Sequence, residues 1–198
     1  MNEITVFLAN LEFNWSIVET AAVIFSIIYV VLAAKQNIWC WSFAAISVTL
    51  YIYICLNAQL FAETSLQIFY LFMAAYGYYN WNKSDTELEI QQWSVTKHLL
   101  LILFGAIAVF LTGFYFSIYT NAKMPIVDSF TTVFSIIATY MITKKVLENW
   151  LYWIVIDIVS IYLYFNRDLH LTSLLFMLYT IIAIFGYFTW LNKMKKDV

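Results

Sequence analysis

A displacement of 109 residues lays the second half of this chain over the first without a gap. Phe25-Ser26-Ile27-Ile28 falls on Phe134-Ser135-Ile136-Ile137, and Lys35 on Lys144. The same register pairs Leu60 with Leu169, Leu66 with Leu175, Tyr70 with Tyr179 and Ala74 with Ala183. It continues through Gly77 and Gly186, Tyr78 and Tyr187, and Trp81 and Trp190, with Glu19 on Asp128, acid on acid. Chance readily pairs leucines or alanines in a chain that is 64% hydrophobic, but not Gly, Trp, Lys and acid in one register. One substructure is therefore expected twice. In a membrane protein, such duplication points first to a transporter whose substrate sits between the repeats.

Membrane residence follows from charge. Only 11% of the residues are charged, against about 25% in a soluble domain. Charged and polar clusters divide the chain into seven apolar runs, roughly 16–34, 38–57, 61–81, 97–119, 127–143, 148–166 and 170–191. A hydrocarbon core about 30 Å thick asks for about 20 such residues per helix. The runs are apolar around nearly their whole circumference, as lipid-facing helices must be, so an all-α integral membrane fold is expected. The segment from Asn82 to Thr96 holds Asp85, Glu87 and Glu89 and belongs in water. Pro125, the one proline, falls in the turn before the fifth run. The stretch from Met1 to Asn10 lacks the basic region and cleavage site of a signal peptide, so the first span is expected to target the chain.

Eight of the ten basic residues fall on one side of this seven-span layout: Lys35, Lys83, Lys97, Lys144, Lys145, Lys193, Lys195 and Lys196. Lys123 and Arg167 fall on the other. The positive-inside rule puts the set of eight in the cytoplasm, the N-terminus outside and the C-terminus inside. Three spans make one repeat and a fourth crosses alone, so both repeats start on the same side. The expectation is a 3+1+3 parallel-repeat (SWEET-like) arrangement, related by an axis along the membrane normal. Residues 1–96 form the first repeat with its loop, 97–126 the connector helix, and 127–198 the second repeat.

Polar groups at membrane depth are costly and are functional candidates by default. Asp157 stands well inside the sixth run. Trp153, four residues earlier, shares its helix face. A carboxylate beside an indole suits an organic cation, through charge and cation–π attraction; the plainer reading is a protonated or hydrogen-bonded structural acid. Trp150 precedes the same acid. Gln67 falls on Phe176, so the repeat breaks there, as a site for an asymmetric substrate requires. Ser47, in mid-span and one residue from matching Asp157, is a weaker candidate. Asn149, Tyr162 and Tyr164 offer further hydrogen bonds. Glu19 and Asp128 begin corresponding spans; each is either a helix cap favoured by the dipole or a gate.

Trp15, Trp39, Trp81 and Trp190 end their runs and read as interfacial anchors. Cys40 and Cys55 lie 15 residues apart in one run, about 22 Å along a helix and beyond disulfide reach; they read as packing residues. His98 and His170 are isolated and read as interfacial polar groups. No metal-ligand spacing occurs, and no cofactor or nucleic-acid partner is implied.

The stretch Glu148-Asn149-Trp150-Leu151-Tyr152-Trp153-Ile154-Val155-Ile156-Asp157, with Asp128-Ser129 opening the fifth span, resembles the PnuC family of bacterial vitamin transporters. Leu66-Gln67-Ile68-Phe69 and Gly77-Tyr78-Tyr79-Asn80-Trp81 add to the resemblance, which runs from about Trp15 to Trp190. It implies uptake of an unphosphorylated vitamin across the bacterial inner membrane by facilitated diffusion, trapped by phosphorylation in the cytoplasm. Asp157, where the family's nicotinamide riboside carriers have Asn, fits a thiamine-type (PnuT-like) branch. Thiamine is accordingly the expected substrate, with nicotinamide riboside or a flavin as alternatives. A homotrimer is compatible with the family.

Three other classes compete. A proton-coupled metabolite transporter would respond strongly to a pH gradient. A structural subunit would show no uptake by itself. An intramembrane enzyme is disfavoured, since no Ser/His or metal constellation lies at membrane depth. The soluble segments leave no room for a nucleotide-binding domain.

Overall fold

The structure, a computed structural model, describes residues 16–83, 88–120 and 122–196. Trp15, Asp85, Glu87 and the stretch from Met1 to Asn10 lie outside the described residues. Among the described residues seven helices follow one another: α1 (Ile17–Ala34), α2 (Cys40–Asn57), α3 (Phe61–Asn82), α4 (Val95–Tyr119), α5 (Pro125–Thr143), α6 (Asn149–Phe165) and α7 (His170–Lys196). Among the described residues there is no strand, only a single parallel bridge between Gln91 and Val146. Five helices are long and apolar enough to cross a membrane. The 17-residue α6 is apolar but shorter. The 22-residue α3 carries Glu63, Gln67, Asn80 and Asn82, which lower its hydropathy.

Local chemistry sets the helix ends. Ser16 and Glu19 form a reciprocal capping box at the start of α1, satisfying two donors that the helix leaves free. Pro125 opens α5, where its missing N–H is not needed. Ser94 caps α4 by accepting from the Lys97 N–H. Four residues outside the helices adopt left-handed backbone: Gln36, Gln59, Lys145 and Asp168. Gln36 and Lys145 stand 109 apart, as do Gln59 and Asp168, so the duplication extends to the turns.

Helices α1, α2, α3, α5, α6 and α7 form a closed ring in which each packs against the next and α7 returns to α1. The joints α3–α5 and α7–α1 exchange when one three-helix unit is exchanged for the other. Helix α4 packs on α5 alone, outside the ring. It approaches closely at Gly105, which faces Phe134, and at Gly113, which faces Ile126. Small residues permit such close approach between membrane helices.

Two anchors expected at the lipid interface are elsewhere. Trp39 is 63% exposed, as an anchor should be, but Trp81 and Trp190 are buried. They turn inward because each indole N–H has a backbone acceptor in the opposite unit. Cys40 and Cys55 are free and buried, as packing residues. His98 is packed rather than isolated: its Nδ1 lies 3.0 Å from the Tyr152 hydroxyl and its Nε2 3.7 Å from Glu148.

Candidate functional site

The ring encloses a cavity of about 280 Å³. All six ring helices line it and α4 does not. The lining follows the repeat. Ser26 and Ser135, Trp41 and Trp150, Tyr70 and Tyr179, and Ala74 and Ala183 are identical pairs, and all eight residues face the same space.

Four tryptophans lie at the end of the cavity nearest the C-terminus. Trp41 meets Trp81 edge-on at 5.3 Å, and Trp150 meets Trp190 edge-on at 5.5 Å. Trp81 and Trp190 join the two pairs across the centre at 6.2 Å. Glycine makes room for the cavity-lining members, since a Cβ on Gly77 would fall 2.4 Å from the Trp41 ring and one on Gly186 2.7 Å from Trp150. The Trp81 N–H donates to the Ile142 carbonyl at 3.3 Å, and the Trp190 N–H to the Ala33 carbonyl at 3.2 Å. Both bonds cross between units, and both acceptors occupy the same repeat position. Trp41 and Trp150 are different: their indole nitrogens are buried and have no acceptor among the described residues. Each can donate to an oxygen of a bound ligand.

A second pair of cross-unit contacts lies at mid-depth. The Ser26 and Tyr179 hydroxyls are hydrogen-bonded at 2.5 Å. Tyr70 and Ser135 stand close together in the corresponding position. Toward the other end of the bundle, the polar contacts of Glu19 and Asp128 stay within one unit.

The predicted residues divide accordingly. Trp150, Trp153, Asp157, Gln67 and Ser47 all line the cavity. Asp157 is buried, and its carboxylate has no hydrogen-bond or ion-pair partner among the described residues. Ser47 already donates to the Ala22 carbonyl at 2.8 Å, so it serves the α1–α2 packing. Asn149 is not in the lining; its amide donates to the Val146 carbonyl at 2.6 Å in the turn before α6. Tyr164 is also outside the lining and stacks on Phe176 at 5.2 Å. Tyr162 is exposed on the outer surface. Glu19 caps its own helix. Asp128 accepts from Arg167 at 2.6 Å. Neither acid reaches the cavity.

Sequence reasoning missed Trp41, Tyr29, Tyr51 and the two serine–tyrosine pairs. The repeat contained the signal for most of them: Trp41 is the counterpart of Trp150, and Ser26, Ser135, Tyr70 and Tyr179 were among the matched positions.

The cavity also records where the repeat breaks. Asp157 corresponds to Val48, Trp153 to Ala44, and Phe176 to Gln67. One wall is thus acidic and aromatic. The facing wall offers two small apolar groups and an amide. A flat, cationic ligand with polar substituents matches this division: ring to indole, charge to carboxylate, polar groups to Gln67 and the two free indole N–H groups.

Comparison with known proteins gives this architecture relatives. Residues 16–192 match the family model described as nicotinamide mononucleotide transporter. The nicotinamide riboside transporter PnuC of Escherichia coli is 26% identical, over 93% of this chain and 88% of that protein. Its namesake from Neisseria mucosa is 28% identical, over 89% and 73%. The riboflavin/roseoflavin transporter RibM of Streptomyces davaonensis is 21% identical, over 88% and 84%. A crystal structure of the vitamin B3 transporter PnuC superposes with a TM-score of 0.75 at 25% identity, covering 98% of this chain and 88% of that one.

Proposed function

This chain belongs to the nicotinamide mononucleotide transporter family, and from that premise we propose that it carries nicotinamide riboside across the bacterial inner membrane through the cavity of its six-helix ring. The observation that carries the proposal is the broken symmetry of that cavity. Asp157 and Trp153 stand together on one wall, opposite Val48 and Ala44. A pyridinium ring stacked on Trp153 places its fixed positive charge near the Asp157 carboxylate, and the ribose hydroxyls accept from Trp41 and Trp150. The names of the relatives support nicotinamide riboside over thiamine, the substrate that Asp157 alone suggested. Both ligands carry a ring cation, so the carboxylate does not separate them. RibM supports a family that handles vitamins more broadly.

The two units, α1–α3 and α5–α7, work as parallel repeats, with α4 as connector. The exchange of the α3–α5 and α7–α1 joints under the repeat supports this reading, and the lysine distribution supports a cytoplasmic C-terminus. In that orientation the four tryptophans close the cytoplasmic side. Release into the cytoplasm then requires the Trp81–Ile142 and Trp190–Ala33 bonds to open together. Passage is facilitated diffusion, and phosphorylation of the product keeps it inside.

Titration of the purified protein with nicotinamide riboside, thiamine and riboflavin, read by tryptophan fluorescence, tests the assignment. Saturable quenching by nicotinamide riboside is expected at or below micromolar concentration, about −8 kcal/mol. Asp157→Asn is expected to weaken it at least about tenfold, since a charge pair near 4 Å is worth a few kcal/mol at intermediate dielectric. A saturable response to thiamine or riboflavin alone would leave the family assignment standing and overturn the substrate.

A further inference from the structure

The backbones of helices α3 and α4 do not approach each other, although both pack on α5. A fissure therefore opens between them toward the lipid, with α5 at its back. At the end nearest the C-terminus this fissure is rimmed by aromatic rings. Tyr140 of α5 stacks on Tyr76 of α3 at 6.5 Å with nearly parallel planes. On its other side it meets Trp93, just before α4, at 6.3 Å. Tyr140 is 44% exposed, so this seam is a surface.

Three lysines stand on aromatic rings at this end, two of them on rings of the seam and Lys83 on Tyr79, one turn along α3 from Tyr76. Lys97 lies 3.3 Å above Trp93, Lys83 lies 5.2 Å from Tyr79, and Lys144 lies 4.8 Å from Tyr76. Lys144 also hydrogen-bonds the Tyr76 hydroxyl. None of the three pairs with a carboxylate among the described residues. The backbone beneath them is fixed. Gln91 bridges to the α5–α6 turn through its N–H to Lys145 and its carbonyl to Leu147, while its side chain donates to the Lys144 carbonyl at 2.7 Å. That clamp sets Trp93 and Lys144 on one rim.

The repeat shows that this patch is not a general property of the fold. The counterpart of Tyr76 is Phe185, that of Tyr140 is Val31, and that of Lys83 is Asn192. Only Lys144 has a lysine counterpart, Lys35. The aromatic–lysine rim is confined to the side where α4 leaves a fissure.

We propose that this rim binds the headgroup of an anionic phospholipid, with its acyl chains in the fissure between α3 and α4. Three cations from three different elements converge where a leaflet places its phosphates, and basic pockets between membrane helices suit that chemistry. Each ammonium group rests against a ring face, and its N–H donors turned away from the ring can meet a shared anion. The apolar wall of the fissure then distinguishes a lipid from a free anion.

The test is native mass spectrometry of the detergent-solubilised full chain, titrated with phosphatidylglycerol or phosphatidylcholine. One phosphatidylglycerol is expected to be held in clear preference to phosphatidylcholine. The K83Q/K97Q/K144Q variant is expected to lose that affinity by on the order of tenfold or more. K35Q/K195Q/K196Q, which removes equal charge from the same end of the bundle, is expected to retain it. K83R/K97R/K144R should bind as the parent does, which separates lost charge from a folding defect. Equal loss in the two glutamine variants, no loss in K83Q/K97Q/K144Q, or no preference between lipids would overturn the proposal. Displacement by millimolar inorganic phosphate would also overturn it, in favour of a free-anion site.

Discussion

Gly186→Ala is a small substitution with a large predicted consequence. Its Cβ would lie 2.7 Å from Trp150 Cε2 and 2.8 Å from Cδ2 and Cζ2. Carbon atoms rest about 3.5–4.0 Å apart, so the ring or the helix must yield by about 1 Å. Trp150 has little room to retreat, because it is almost fully buried and braced edge-on against Trp190. Trp190 is itself fully buried and tied to the Ala33 carbonyl. The open direction is the cavity. Overpacking of this kind costs about 1–3 kcal/mol, and the displaced indole intrudes on the space where a ligand would sit. A loss of affinity for nicotinamide riboside of about tenfold or more is expected, equivalent to about 1.4 kcal/mol, together with a lower Tm.

Gly113→Ala is the control. Its Cβ would meet Ile126 at 2.5 Å, an equally severe clash, but at the α4–α5 contact away from the cavity. It should lower Tm and leave affinity unchanged. Fluorescence titration and thermal melting of both purified variants separate the two effects. If Gly186→Ala melts earlier but binds as tightly as the parent, the Trp150 ring does not form the wall of the binding site and the reasoning fails.

Further outcomes follow from the cross-unit bonds. Trp190→Phe and Trp81→Phe keep a ring and remove the N–H at about 1 kcal/mol each, since the Ala33 and Ile142 carbonyls still accept from the Gln36 and Lys145 N–H groups; flux in proteoliposomes should change more than equilibrium affinity, and the double variant should exceed either single. Tyr179→Phe and Ser26→Ala should lower Tm by less than their sum when combined, because both remove the bond they share, Ser26→Ala losing its bond to the Val23 carbonyl besides; full additivity would show that the hydroxyls are not coupled. Arg167→Gln should lower stability by no more than about 1 kcal/mol, since its ion pair with Asp128 is partly exposed to screening; a loss of transport without loss of stability would restore Asp128 as a gate.

The seven helices were legible because the hydrocarbon core imposes a length and punishes charge. Run boundaries at Lys35, Lys83 and Lys144 fall at observed helix ends for that reason. The acidic and aromatic cluster of α6 was legible because a carboxylate at membrane depth has few reasons to exist. The tryptophan floor was not. Trp81 and Trp190 end their runs as interfacial anchors do, and hydropathy cannot tell a ring facing headgroups from one facing another helix. Only the contact between units, which brings the Ile142 and Ala33 carbonyls to the indole N–H groups, decides it. Asn149 sits outside the cavity lining, where its amide nitrogen donates to the Val146 carbonyl of a turn and its Oδ1 is buried without a partner among the described residues; an amide beside such a motif looks the same in sequence whether it faces a ligand or a turn.

What the repeat keeps and what it discards divide by task. The kept residues at the floor, Trp41 with Gly77 and Trp81, and Trp150 with Gly186 and Trp190, form a closure that both units must make in the same way. A break in one half would leave one buried indole N–H without its acceptor. The kept Ser–Tyr pairs tie the units at mid-depth under the same constraint. The discarded matches lie on the cavity walls, at Val48 and Asp157, Ala44 and Trp153, and Gln67 and Phe176. A symmetric wall would present two carboxylates to one cation, or none, and would recognise both ends of a ligand alike. The proposed substrate, nicotinamide riboside, has a charged aromatic end and a neutral hydroxylated end, and one acidic aromatic wall with one facing amide would suit it. Under the proposed function, the symmetry of the floor and the asymmetry of the walls are two demands on one duplicated sequence: the first that of two halves moving against each other, the second that of a substrate with no symmetry of its own.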